Sequence, residues 1–231
     1  MARKLLTMKQ AAAQLKVTIS VIREMINSKL LQTVTSGNTI KLDKAELDEW
    51  LASLNEEEVK KLSLQRSICH FNDYYKPEYV FLDFEADNKY EAIAEMSKKA
   101  KELGIVRDHR WLYQVVVARE ELVSTAVGNG VALLHARHFH PSKIKKPSVI
   151  FGRSKDEIEF DAVDNKPVKL YFMLLLHNDY QHLFSISYLS KNIILSEDNL
   201  KVLREANNPE EIADIIIGSV IKKEKEKEKK K

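Results

Sequence analysis

Between Arg119 and Arg137 the chain reads R-E-E-L-V-S-T-A-V-G-N-G-V-A-L-L-H-A-R, and no other stretch of its 231 residues constrains the fold as tightly. A helix-patterned segment at 110–121 leads through a Gly-Asn-Gly turn into an apolar run, 131–136, that reads as a buried strand. Two of only six glycines, Gly128 and Gly130, fall in that turn. Glycine there permits unusual backbone angles and leaves amides and open surface for a phosphate and a partner protein. A lone histidine, His135, stands at the end of the apolar run, with Arg119 and Arg137 bracketing it. This arrangement suits a phosphorylatable imidazole. A histidine accepting phosphate must be neutral at one nitrogen to attack, and positive charge must stabilise the equatorial oxygens during in-line transfer.

Around this segment the period alternates between strand and helix. Strands are expected at 80–84, 131–136, 148–151 and 168–176, and helices at 89–103, 110–121, 180–191, 198–205 and 209–217. Strands buried between helices imply an α/β sandwich with a mixed sheet flanked by helices.

The Arg119–His135 segment resembles the active-site signature of the fructose/mannitol-type enzyme IIA domains of the bacterial phosphoenolpyruvate-dependent phosphotransferase system, including the nitrogen-regulatory branch. The likeness extends from Lys76 to Ile217, through V-F-L-D-F-E-A, I-E-F-D-A-V-D-N-K-P-V-K-L-Y-F-M-L-L-L and Q-H-L. The resemblance implies a phosphocarrier that works through a phosphohistidine: His135 as phosphoryl acceptor, Arg119 neutralising the phosphoryl charge, and His182 as a supporting neutral donor. A helix N-terminus disfavours imidazolium, which suits that last role. The implied partner is the histidine phosphocarrier protein. One departure stands out, because the family commonly has proline where this chain has Leu134, and leucine is expected to loosen the strand end.

The first 54 residues follow a different pattern: short helix, turn, helix, hairpin, helix. Thr7 and Thr18 are candidate helix caps, and Ser36-Gly37-Asn38 forms a turn between two β-branched runs. Leu6-Thr7, Ala11-Ala12, Leu15-Lys16-Val17-Thr18 and Glu46-Leu47-Asp48-Glu49-Trp50-Leu51 resemble the small winged helix-turn-helix of the excisionase and MerR-type family. That resemblance implies DNA contact through Thr18, Ser20, Arg23, Asn38 and Lys41. Relatives usually carry several arginines here. Phosphate neutralisation supplies much of the affinity, so one such module is expected to bind DNA weakly unless a homodimer or the basic tail helps. A protein-interaction or dimerisation piece is the alternative reading.

The expected domains are therefore a DNA-binding module at 1–54, a helical linker at 55–75 able to pair with a second copy, an enzyme IIA domain at 76–221, and a Lys/Glu tail at 222–231. The charge follows this division. Residues 1–54 carry eight Lys/Arg against five Asp/Glu, and residues 222–231 carry seven Lys against three Glu, so the net +3 leaves the body slightly acidic. With 44% hydrophobic positions the chain can bury a full core. A single cysteine, Cys69, rules out an internal disulfide. The N-terminus has no signal-peptide core and no run is long enough for a membrane span, which points to the cytoplasm. His135, His138 and His140 cluster closely, yet no acid or cysteine joins them at a recurring spacing, so no metal and no cofactor is expected.

The function these features imply is a regulator linked to the phosphotransferase system and to sugar or nitrogen signals. Two other readings stay open: a sugar-transport component that passes phosphate to a separate IIB protein, and a non-catalytic interaction scaffold.

Overall fold

The computed structural model describes residues 4–36 and 39–218, so Asn38 and the charged tail named above lie outside the described residues. Two compact units divide between His70 and Phe71.

In the first unit, β1 (Leu5–Thr7) runs into α1 (Met8–Leu15), followed by α2 (Ile19–Asn27), β2 (Val34–Ser36), β3 (Thr39–Asp43), α3 (Lys44–Ser53) and α4 (Glu56–Cys69). Thr7 closes a capping box: its hydroxyl accepts the Gln10 N–H at 3.2 Å while Gln10 Oε1 accepts the Thr7 N–H at 2.9 Å. Thr18 caps α2 by accepting the Val21 N–H. The sequence pattern has Leu5 and Leu6 leading directly into the helix. In the structure they form a strand, because Leu6 pairs opposite Leu42 on β3 and both side chains are buried. The sheet order is β1-β3-β2, antiparallel throughout.

The helix expected in the connecting segment is α4, and it packs within this first unit. Leu62 joins the buried cluster of Ala11, Leu15, Ile22, Met25 and Leu47, and Arg66 donates from Nε to the Leu15 carbonyl at 2.7 Å.

The second unit opens with α5 (Phe71–Tyr74) and continues through β4 (Val80–Phe84), α6 (Lys89–Glu102), α7 (His109–Glu120), β5 (Ala126–Gly128), β6 (Val131–His135), β7 (Ser148–Ile158), β8 (Val168–Leu175), α8 (Asp179–Leu189) and α9 (Glu197–Glu205), with a last helix, α10, at 209–218. The strand order is β4-β7-β8-β6-β5. The β4/β7 and β6/β8 pairs are parallel and the other two antiparallel, which makes the sheet mixed.

Central β8 is apolar on both faces because each face carries a layer of helices. Val168, Tyr171, Met173 and Leu175 pack with Ile93, Met96, Leu112 and Val116 of α6 and α7. Leu170, Phe172 and Leu174 pack on the other face with Tyr188, Leu189, Leu200 and Leu203 of α8 and α9.

Strand β7 was expected to stop at Phe151 and runs on to Ile158. The polar sequence after Gly152 hides this, because Arg153 is only 3% exposed yet charged. Gly152 is needed for space: a Cβ there would lie 2.3 Å from Met96 Sδ. Gly152→Ala is expected to destabilise the protein by about 1–3 kcal/mol through overpacking, read by chemical denaturation.

Candidate functional site

Alternation along β6 places Val131, Leu133 and His135 on the face covered by α8, while Ala132 and Leu134 face α7. His135 ends the strand, so residues from both helices can reach it. Arg119, in the last turn of α7, donates from Nε to His135 Nε2 at 3.2 Å and from Nη1 to the Val123 carbonyl at 2.8 Å. His135 Nδ1 lies 2.8 Å from the Leu133 carbonyl, which can only accept. The proton therefore sits on Nδ1, and Nε2 presents the lone pair that Arg119 meets.

His182 lies in the first turn of α8, its N–H bonded to the carbonyl of the Asn178 cap. Its ring centroid is 4.7 Å from that of His135, and its Nε2 is buried without a hydrogen-bond partner. Burial, with the His135 and Arg119 charges in support, pushes the His182 pKa down to about 4 against the opposing pull of Asp179. Burial likewise lowers His135, helped by Arg119 and opposed by the Leu133 carbonyl and Glu120. Both rings are therefore neutral at physiological pH, the state a nucleophile and a neutral donor need.

A histidine buried neutral contributes its stability fully above the unfolded pKa of about 6.5, and loses it as pH falls toward the folded value. For His182 that window runs from about 6.5 down to about 4. Acid unfolding of the wild type is expected to steepen across it and to be shallower in His182→Gln, as followed by denaturation at stepped pH.

The three residues expected to form the site thus meet in space: His135, Arg119 and His182. Arg137 and His138 are both exposed. Leu134, which stands where the family commonly has proline, is fully buried and in register with Met173 on β8.

The glycine turn also departs from expectation. Gly128, Asn129 and Gly130 have φ of 96°, 54° and 72°, which explains the residue choice. The turn, however, sits at the opposite end of β6 from His135, about 16 Å away at roughly 3.3 Å per residue. Its groups are already engaged: Asp164 accepts the Asn129 N–H at 2.9 Å, and Arg204 donates to the Asn129 carbonyl at 2.6 Å. The turn locks the start of the strand and offers nothing to a phosphate on His135.

Space beside the two rings is small, about 10 Å³ among Trp111, His138, Phe139 and the histidines. So small a space does not hold a small-molecule substrate among these residues. Among the described residues no group of three His, Cys, Asp or Glu gathers as for a metal, and no helix is long and apolar enough to cross a membrane.

In the first unit, Ser20 and Arg23 are exposed on α2, Lys41 is half-buried on β3, and the Thr18 hydroxyl is engaged as a cap. The exposed face of α2 presents Ser20, Arg23, Glu24 and Asn27, one positive and one negative charge.

A mixed sheet between helix layers, with His135 ending a strand beside Arg119 and against His182 of α8, fits a phosphotransferase-system IIA domain, here preceded by a helix-turn-helix. The chain belongs to the family of the phosphoenolpyruvate-dependent sugar phosphotransferase system, EIIA 2, whose model matches residues 73–218, and a helix-turn-helix domain model matches residues 5–55. The fructose-specific EIIA component of Haloferax volcanii is 33% identical over 60% of this chain and 89% of that protein. The fructose-specific EIIABC component of Bacillus subtilis is 31% identical over 58% of this chain, but the match spans only 21% of that longer protein. Among solved structures, nitrogen regulatory protein IIA-Ntr from Neisseria meningitidis superposes with a TM-score of 0.56 at 28% identity, over 63% of this chain and 98% of that one.

Proposed function

We propose that this protein is a phosphocarrier with a regulatory output: His135 takes a phosphoryl group at Nε2 from the histidine phosphocarrier protein, and the phosphorylated state alters what the helix-turn-helix unit binds. The hydrogen bond from Arg119 Nε to His135 Nε2, with Nδ1 held by Leu133, carries this reading. As the Nε2 lone pair forms its P–N bond, the P–N bond of the donor breaks and returns that imidazole to its carrier. The positive charge arising on the His135 ring is shared with the Leu133 carbonyl through Nδ1–H, while Arg119 turns to the phosphoryl oxygens. His182 Nε2, buried and unpartnered, supplies a neutral donor beside them.

Exposed Leu122, Val123 and Leu183 flank the site and suit docking by a protein rather than a metabolite. The donor works in the cytoplasm, and we place this protein there. Its DNA-binding role rests on the helix-turn-helix match and on exposed Ser20 and Arg23, with Thr18, Asn38 and Lys41 completing the candidate set. A single module with so little positive charge needs a second copy or the basic tail to bind firmly. A second reading, transfer onward to a separate IIB protein, is favoured by the sugar-specific relatives.

Intact mass after incubation with phosphoenolpyruvate, enzyme I and the histidine phosphocarrier tests the proposal. An acid-labile gain of one phosphoryl group in wild type and none in His135→Ala supports it, and no gain in wild type refutes it. Equal DNA affinity of the two phosphorylation states would refute the regulatory half, since a switch needs differential affinity. Loss of the label to an added IIB would favour the transport reading.

A further inference from the structure

Glu120, next to Arg119 in the last turn of α7, is only 2% exposed. One carboxylate oxygen, Oε2, accepts both the Thr125 N–H at 2.7 Å and the Thr125 hydroxyl at 2.5 Å. The other, Oε1, is buried without a hydrogen-bond partner. A half-satisfied buried carboxylate is an expensive way to close a loop, since a neutral side chain could accept the same two bonds without the charge.

The bonds do not stop at Thr125. The Thr125 carbonyl accepts the Leu133 N–H at 2.9 Å, and the Leu133 carbonyl faces His135 Nδ1 at 2.8 Å. Two consecutive residues of one helix therefore hold the two nitrogens of one imidazole: Arg119 directly at Nε2, and Glu120 at Nδ1 through Thr125 and Leu133. Glu120 also acts through its field. Its charge favours the positive form of the His135 ring, against Arg119, and it favours the positive form of Lys89 as well. The ring is neutral before transfer and carries positive charge while it holds a phosphoryl group on Nε2 with the proton kept on Nδ1.

We infer that Glu120 is a positioning residue for phosphoryl transfer: it fixes the Nδ1–H tautomer of His135 through the Thr125–Leu133 relay and compensates the charge of the phosphorylated ring. This rests on the reading of His135 as acceptor, and it accounts for the retention of a charge where an amide would close the loop.

The test uses the full chain with Glu120→Ala, Glu120→Gln and Thr125→Val, all checked for folding by their melting curves. Nitrogen-15 NMR of the His135 ring above its titration reads the tautomer, and the rate of phosphoryl gain and the lifetime of the phosphohistidine read the chemistry. Wild type is expected to show the Nδ1–H form. Glu120→Ala is expected to mix the tautomers and slow the gain by about 10- to 100-fold, with Thr125→Val a smaller change in the same direction. Glu120→Gln, which keeps an acceptor but no charge, is expected to keep the tautomer and shorten the phosphohistidine lifetime.

Unchanged His135 nitrogen shifts in folded Glu120→Ala, or in Thr125→Val should the alanine variant not fold, overturn the positioning role whatever the rates. A wild-type lifetime in Glu120→Gln overturns the charge role. Should wild type take up no phosphoryl group, the acceptor reading falls and with it the charge role, while the tautomer measurement still decides whether Glu120 positions the ring.

Discussion

Replacing Arg119 by methionine is expected to slow phosphoryl gain at His135 by about 10²- to 10³-fold, the loss typical when one preorganised donor to a developing anion is removed. Arg119 is half-buried, and among the described residues its side chain bonds to His135 and to the Val123 carbonyl, so the fold should survive with little change in melting temperature. Quench-flow transfer from the phosphorylated carrier measures the effect. Arg119→Lys is expected to recover only part of the rate, because a point charge cannot bond the ring and the Val123 carbonyl in the same plane. A wild-type rate in Arg119→Met would remove the arginine from the chemistry.

The second large effect concerns stability. Arg153 on β7 forms a two-pronged pair with Asp83, Nε to Oδ1 at 3.0 Å and Nη2 to Oδ2 at 3.1 Å. It also donates from Nη1 to the Arg204 carbonyl at 3.0 Å and the Ala206 carbonyl at 2.6 Å, and from Nη2 to Asn207 Oδ1 at 2.9 Å. These carbonyls end α9, where the helix has no N–H of its own to offer. Arg153→Met leaves them buried and unpaired, and is expected to lower unfolding free energy by about 3–5 kcal/mol. The Asp83 side chain is 56% exposed, so Asp83→Asn should change stability by under about 1 kcal/mol. Equal losses from the two variants would show that the ion pair, and not the capping of α9, holds this end of the domain.

How much of this was legible beforehand depended on the kind of signal each residue sends. His135, Arg119 and His182 stand in a motif whose order survives in the chain, and the structure brings them together. Apolar period marked β6 and β8 well, because a central strand buried on both faces is almost uniformly hydrophobic. The end of β7 was hidden because Arg153 is a buried charge, and burial of a charge leaves no trace in a hydrophobic pattern. Glu120 was hidden for the same reason: beside Arg119 and Glu121 it reads as part of a solvated helix face, and only the fold shows it turned inward onto Thr125.

The glycine turn shows the opposite failure. Its residue types announced positive φ correctly, but composition carries no distance, and only the direction of β6 shows the turn lying far from the histidine. Strand β1 was missed because three residues that end on a helix cap send too little periodic signal, and the pairing with β3 is a long-range choice.

Under the proposed function Nε2 of His135 is the acceptor, because Leu133 holds the proton on Nδ1 and Arg119 faces the free lone pair. Phosphorus-coupled nitrogen-15 NMR of the protein phosphorylated by the histidine phosphocarrier tests it most directly. Phosphorus coupling is expected at His135 Nε2, with Nδ1 protonated and bonded to the Leu133 carbonyl. Coupling at Nδ1, or at any other histidine, would contradict it.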